Sequence, residues 1–344
     1  MKCALKEQGL DRGACLTKTP DGPKVACEAT LRYQGGMYSR LIKSMHLSRP
    51  EDYFSIYQSG CCHSCLKCHS AEFAKETSGE WYTTDELAEK STEYAKQVTV
   101  MEPKERVTMY HSSNLCRHCG SCVTYGLRHP YCPNQLQPDQ ISLSVQGWGP
   151  ARNIIAFTGG DLLCRPEFYV EVTEKIKNAS SNKLHVLLET NGYALTPNNL
   201  ETFNNGGIDG FWLDIKAYEE DVYRRLCGTS NRSVLESVPL AVDLGFTVEI
   251  LTLYIPKWVE TDQHVKIAEL IAEIDPNIPT TILAYFPTYK MSVRSPRLGE
   301  MMRSYAAMKN IGLKQLRMGN IGVFARSQKD IDLLVSIFGR EVLG

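Results

Sequence analysis

Gly60-Cys61-Cys62-His63-Ser64-Cys65-Leu66-Lys67-Cys68-His69 sets Cys61, Cys65 and Cys68 in a Cys-x3-Cys-x2-Cys spacing, directly behind a β-rich run from Tyr53 to Tyr57. Eight of the thirteen cysteines lie between Cys61 and Cys132, in two groups spaced like iron–sulfur ligands. Three thiolates leave one iron of a four-iron cluster open to bind something else. Clusters that only carry electrons normally have four cysteine ligands.

Outward from this loop, β-rich runs alternate with helices. The runs are Tyr53 to Tyr57, Asn153 to Phe157, Leu184 to Leu188, Gly210 to Ile215, Thr247 to Tyr254 and Thr281 to Phe286. Such alternation predicts an α/β fold with a parallel sheet, of either the barrel or the doubly wound kind. Thr83-Thr84-Asp85-Glu86 is a capping box, followed by Leu87, Ala88, Tyr94, Ala95 and Val98 on one helical face. Pro166 suits a first helical turn, with Phe168, Val172 and Ile176 behind it. Thr261 opens a helix that Asp275-Pro276 ends. In the first fifty residues, Tyr38 to Leu47 reads as a short basic amphipathic helix. Cys3, Cys15 and Cys27 read there as buried or reduced thiols rather than as metal ligands.

The second group is Cys116-Arg117-His118-Cys119-Gly120-Ser121-Cys122, completed by Cys132-Pro133. Two consecutive Cys-x2-Cys steps and a distant Cys-Pro suit a second four-iron cluster, with zinc as the alternative for four thiolates. Four ligands close a cluster, which favours electron relay over substrate binding. Two other pairings stay open: Cys62 in place of Cys61 as first ligand, and a zinc ribbon joining Cys62 and Cys65 to Cys119 and Cys122.

Lys and Arg number 38 against 39 Asp and Glu, a net charge of −1 that gives no footprint for nucleic acid or an anionic membrane. The first twenty residues hold no apolar core of signal-peptide length, and nowhere do eighteen apolar residues run together. With cysteines suited to metal rather than disulfides, a cytoplasmic location is expected.

The motifs resemble the radical S-adenosylmethionine (SAM) superfamily and, within it, the pyruvate formate-lyase activating enzyme group. Gly60, Cys61, Cys65, Leu66, Cys68 and His69 match that group's cysteine motif. Thr158-Gly159-Gly160-Asp161, Glu189-Thr190-Asn191-Gly192, Leu213-Asp214-Ile215-Lys216 and Ile255-Pro256-Lys257-Trp258 follow in the family's order, so that the resemblance spans roughly residues 53 to 290. It implies a partial (β/α)6 TIM-type barrel over residues 53–324, with an N-terminal extension over 1–52. It also implies an auxiliary iron–sulfur insertion over 98–150 and a C-terminal helix over 325–344.

By the same resemblance, Cys61, Cys65 and Cys68 hold a 4Fe-4S cluster whose open iron chelates the amino and carboxylate groups of SAM. The Gly159-Gly160 backbone takes the amino group, and Asp161 adds an acceptor. Lys216 is the countercharge for the SAM carboxylate, while Asp214 and Glu189 hold Lys216 or help to build a monovalent-cation site. Cys116, Cys119, Cys122 and Cys132 hold the second 4Fe-4S cluster. The implied chemistry is reductive cleavage of SAM to a 5′-deoxyadenosyl radical that abstracts a hydrogen atom, which requires no side-chain acid, base or nucleophile. The implied partners are a reductant such as flavodoxin or ferredoxin and a glycyl radical enzyme. Direct action on a small molecule, peptide or RNA is the alternative, and a non-catalytic iron–sulfur or zinc protein is the third reading.

The chain departs from the group's pattern at five places. Asp161 replaces the usual glutamate, Glu189 replaces an aspartate, and Lys67 stands where an aromatic residue is usual. Ala284-Tyr285-Phe286-Pro287 lacks a histidine, and the insertion has cysteines for one cluster rather than two.

Overall fold

The computed structural model describes residues 3–181 and 183–344. All six β-rich runs form strands: β1 (Tyr53–Gln58), β2 (Ile154–Gly159), β3 (His185–Thr190), β4 (Gly210–Ile215), β5 (Thr247–Tyr254) and β6 (Thr280–Ala284). A seventh, β7 (Leu316–Gly319), was not expected, being only four residues long and free of β-branched side chains. Every neighbouring pair is parallel, and the order from β1 to β7 is the chain order. A doubly wound sheet reverses its strand order at a switch point. A sheet that never reverses, joined by right-handed crossovers, keeps its helices on one face. The fold is therefore a partial (β/α) barrel with one strand more than the six expected.

The crossover helices are α1 (Thr84–Ala95), α2 (Pro166–Ala179), α3 (Pro197–Asn205), α4 (Glu220–Cys227), α5 (Arg232–Asp243), α6 (Thr261–Ile274) and α7 (Leu298–Ile311), and α8 (Gln328–Phe338) follows β7. Their starts obey local chemistry. The Thr83 hydroxyl accepts from the Glu86 backbone and Glu86 returns the bond, while Pro166 opens α2 and Thr261 opens α6.

Beyond β1 the sheet continues antiparallel through Met37–Ser48, with Leu31–Gln34 and Glu80–Thr83 paired to that strand. The stretch read as a helix from Tyr38 to Leu47 is thus a strand. Leu31–Gln34 and β1 pair along one side of it and Glu80–Thr83 along the other, and that tertiary partnership overrides local periodicity.

The two faces of the barrel sheet differ in chemistry. Ile155, Phe157, Val186, Leu188, Phe211, Leu213, Val248, Ile250 and Ile282 belong to the main core with the helices. Tyr53, Ile154, Ala156 and Leu187 form a separate small cluster with Val107 and Trp212. Period-two alternation places Glu189, Asp214, Glu249 and Arg317 on this second, concave face.

The stretch between α1 and β2 lies across the amino-terminal ends of the strands. Tyr110 N donates to Glu249 Oε2 (3.0 Å), and Arg317 Nη1 donates to Tyr110 O (2.7 Å) and Ser113 Oγ (2.6 Å). Arg152, just before β2, donates to Thr108 O (2.7 Å), and His118 Nε2 meets Asp52 Oδ2 (2.9 Å) just before β1. Among the described residues no helix is long and apolar enough to cross a membrane.

Candidate cluster and cofactor site

The cysteine loop after β1 is pinned to loops that follow other strands. Cys62 N donates to Asp161 O (3.0 Å), Ser64 N to Cys227 O (2.9 Å), Leu66 N to Leu226 O (2.8 Å), and Lys290 N to Leu66 O (3.0 Å). Cys61, Cys65 and Cys68 therefore sit at the carboxyl-terminal rim, where a barrel gathers its loops. All three are free thiols.

Gly159 and Gly160 end β2 against this loop. Gly159 has φ +85°, and a Cβ there would stand 2.5 Å from the Phe73 ring. At Gly160 it would stand 2.2 Å from Gly60 O and 2.6 Å from Gln58 O, both backbone atoms. Only glycine lets the β2 end lie this close to the start of the cysteine loop. Asp161 ties the next turn to β3: Thr190 Oγ1 (2.7 Å) and Asn191 N (2.9 Å) donate to Oδ2, and Leu163 N (3.0 Å) donates to Oδ1. Its carboxylate braces two loops and is buried. Asn191, carried on that brace, sets its amide 3.5 Å from Cys62 Sγ and 4.0 Å from Cys61 Sγ.

Past the end of β4, Lys216 pairs with Asp214. Burial works against the Lys216 ammonium, but the Asp214 carboxylate and the Cys65 and Cys227 sulfurs more than offset it and raise its pKa. Lys67, buried on the cysteine loop, feels both Asp214 and Lys216, and its pKa is lowered first by burial and then by Lys216. Two ammonium groups thus face one carboxylate beside Cys65. Glu189 lies apart from this pair: Tyr53 Oη donates to its Oε1 (2.6 Å), and Thr158 Oγ1 donates to its Oε2. Burial pushes its pKa up to about 8 against those two hydrogen bonds.

A ring nitrogen of His63, Cys65 Sγ and Cys227 Sγ all lie within 4.8 Å of one another. His63 Nε2 meets Thr229 Oγ1 at 2.8 Å, while its Nδ1 is buried without a hydrogen-bond partner. Sequence reasoning placed neither His63 nor Cys227 beside Cys65, because their approach to it depends on how α4 docks on the loop. The one sequence signal was that Cys227 follows the Asp214 motif on the next helix.

Cys116, Cys119, Cys122 and Cys132 line a single small cavity with Leu115, Leu127 and Leu136. They belong to the insertion, at the end of the barrel opposite Cys61, Cys65 and Cys68. That separation excludes a zinc ribbon joining Cys62 and Cys65 to Cys119 and Cys122. Gly120, with φ +67°, packs on Trp148, where a Cβ would stand 2.2 Å from the indole.

Residues 112–271 match the model of the radical SAM superfamily. The chain carries a radical SAM domain. The matched span includes Gly159-Gly160, Glu189 to Gly192, and Asp214 with Lys216. The loop of Cys61, Cys65 and Cys68 precedes it. A Methanocaldococcus jannaschii protein with the provisional name of a glycyl-radical enzyme activating enzyme is 29% identical over 135 residues, 38% of this chain and 49% of that one. The pyruvate formate-lyase-activating enzyme of Clostridium pasteurianum is 24% identical over 164 residues, 43% of this chain and 66% of that one. The chain thus spans from just under half to just under two thirds of the length of these relatives. A solved domain of a pyruvate-formate lyase-activating enzyme from Bacteroides vulgatus superposes with a TM-score of 0.41 at 18% identity, covering 48% of this chain and 98% of that domain.

Proposed function

We propose that this radical SAM enzyme activates a glycyl radical enzyme, holding a 4Fe-4S cluster through Cys61, Cys65 and Cys68 and SAM at the same rim. The supporting observation is the convergence on one rim of three free thiols, the side-chain-free Gly159-Gly160 edge and the buried Lys216 ammonium. The donor set fits a three-thiolate cluster, since none of these sulfurs is spent in a disulfide. When bound, the cluster supplies the electron that opens SAM to the 5′-deoxyadenosyl radical. Lys216, oriented by Asp214, is the countercharge for the SAM carboxylate, and the Gly159-Gly160 backbone receives its amino group. Asp161 contributes by bracing the β2 and β3 loops behind that backbone. Asp214 offers a carboxylate for a monovalent cation beside Lys216.

Cys116, Cys119, Cys122 and Cys132 would hold the second 4Fe-4S cluster. Two consecutive Cys-x2-Cys steps with a distant Cys-Pro support this reading over zinc.

Anaerobic incubation with SAM, dithionite and a purified candidate glycyl radical enzyme tests the reading. The expected result is stoichiometric 5′-deoxyadenosine together with the glycyl radical signal in the partner's electron paramagnetic resonance spectrum. Cofactor cleavage that responds only to a small molecule, with no radical on any candidate partner, would overturn the activating role and leave the superfamily chemistry standing.

A further inference from the structure

Beside Cys65 stand two side chains that the cofactor placement does not use, His63 and Cys227. A ring nitrogen of His63 and the Cys227 sulfur lie within 4.8 Å of Cys65 Sγ and of each other. His63 is 1% exposed and Cys227 is wholly buried. The imidazole is held between Tyr193, at a centroid distance of 5.5 Å, and Tyr223, edge-on at 5.9 Å. Tyr223 and Cys227 lie four residues apart on one face of α4. That helix is tied to the cysteine loop where Ser64 N donates to Cys227 O (2.9 Å) and Leu66 N to Leu226 O (2.8 Å). The docking of α4 therefore delivers Cys227 to Cys65, and the two phenol rings fix the plane of the imidazole.

The hydrogen bonding of His63 is half complete. Nε2 meets Thr229 Oγ1 at 2.8 Å, while Nδ1 is buried with no hydrogen-bond partner. With the Thr229 hydroxyl donating to Nε2, the ring hydrogen sits on Nδ1, so the unpartnered atom is a donor. Buried donors are rarely left unpaired, and the groups gathered around this ring are sulfurs. A thiolate that binds iron carries negative charge and accepts such a bond more strongly than a thiol does. The backbone of the same residue already serves the neighbouring ligand, since His63 N donates to Cys61 Sγ (3.4 Å). Cys227 is a free thiol, and its S–H is a second, weaker donor beside Cys65.

We propose that His63 Nδ1 and Cys227 Sγ donate hydrogen bonds to the Cys65 sulfur and thereby set the reduction potential of the rim cluster. Hydrogen bonds to a cluster's sulfurs stabilise its reduced, more negative state and raise the potential. Both side chains act through Cys65, as positioning residues, and take no part in bond breaking. The inference rests on the reading of Cys61, Cys65 and Cys68 as ligands of a 4Fe-4S cluster.

The test is a potentiometric titration of the anaerobically reconstituted full chain, followed by electron paramagnetic resonance. The rim cluster is identified as the signal that changes shape when SAM is added. We expect His63→Phe, which keeps an aromatic ring and removes both nitrogens, to lower that potential by about 59 mV or more, a tenfold loss in the one-electron equilibrium. Cys227→Ala should lower it by less, because a thiol is the weaker donor. His63→Asn puts an amide N–H near the position of Nδ1, and Cys227→Ser keeps a donor on the same carbon, so each should recover most of the shift. The potential of the four-cysteine centre should not move in any of the four variants. Unchanged rim potentials in His63→Phe and Cys227→Ala overturn the proposal. So does a shift in His63→Asn equal to that in His63→Phe, which marks packing rather than a hydrogen bond. If His63→Phe loses iron, the Cys227 pair decides by the same comparison. A wild-type chain with no SAM-sensitive cluster signal instead removes the cluster assignment itself, and it is read before any variant is compared.

Discussion

Lys216 is the residue on which the cofactor placement turns. Its ammonium is buried beside Asp214 and Cys65. Removing it should cost a charge-assisted contact of about 1.5–3 kcal/mol, roughly ten- to a hundredfold in SAM affinity. Binding measured on Lys216→Ala with the iron content intact checks this, and unchanged affinity would refute the placement. Cys62 is buried against Asn191, whereas Cys61 is partly exposed. Cys62→Ala should therefore retain the rim cluster, and Cys61→Ala should lose it. A different residue sets an acid limit on the fold. His264 is buried on α6 with its Nδ1 at Ser304 Oγ, and burial depresses its pKa to about 4. An unfolded histidine titrates near pH 6.5. Below that pH the unfolded chain takes up a proton that the fold refuses, so stability falls as the pH drops from 6.5 toward 4. Thermal denaturation should show His264→Gln less stable than wild type at pH 7, with the gap narrowing toward pH 4. At this scale the sequence revealed the motif residues but not their neighbours. Lys67 beside Lys216, His63 beside Cys65, and Tyr53 under Glu189 are contacts between distant segments, and no spacing encodes them.

Local signals did better with elements than with side chains. The capping box at Thr83, Pro166 at the head of α2 and the alternation within β1 to β6 were all legible, because each depends on residues within a turn or a strand of one another. Thr83→Ala should cost α1 about 1 kcal/mol, read from urea denaturation. What could not be read were elements defined by a partner: the strand Met37–Ser48, which its neighbours on both sides hold extended, and β7, too short to carry a pattern. The close meeting of β1 and β2 belongs here as well. An alanine at Gly160 would force the Gln58 to Gly60 backbone away from β2, and a strained core substitution of this kind costs about 1–3 kcal/mol. Because Gly60 leads into Cys61, Gly160→Ala should also retain less iron than the wild type after reconstitution. A normal iron count together with normal stability would mean that the two strand ends tolerate separation.

For the molecule as a whole, metal content is the decisive number. Two cubanes give about eight irons and eight sulfides per chain, and Cys116→Ser or Cys132→Ser should remove about half of the iron while SAM affinity stays nearly unchanged. That independence follows from placing the two cysteine groups at opposite ends of one barrel, which linear order concealed, since only 47 residues separate Cys68 from Cys116. The same geometry bears on the order of events in turnover. If an electron donor meets the insertion and a radical acceptor meets the rim, neither blocks the other, so both can be seated together. The rate law should then be that of a ternary complex, with intersecting rather than parallel double-reciprocal lines, and an excess of either partner should leave the other's access unobstructed.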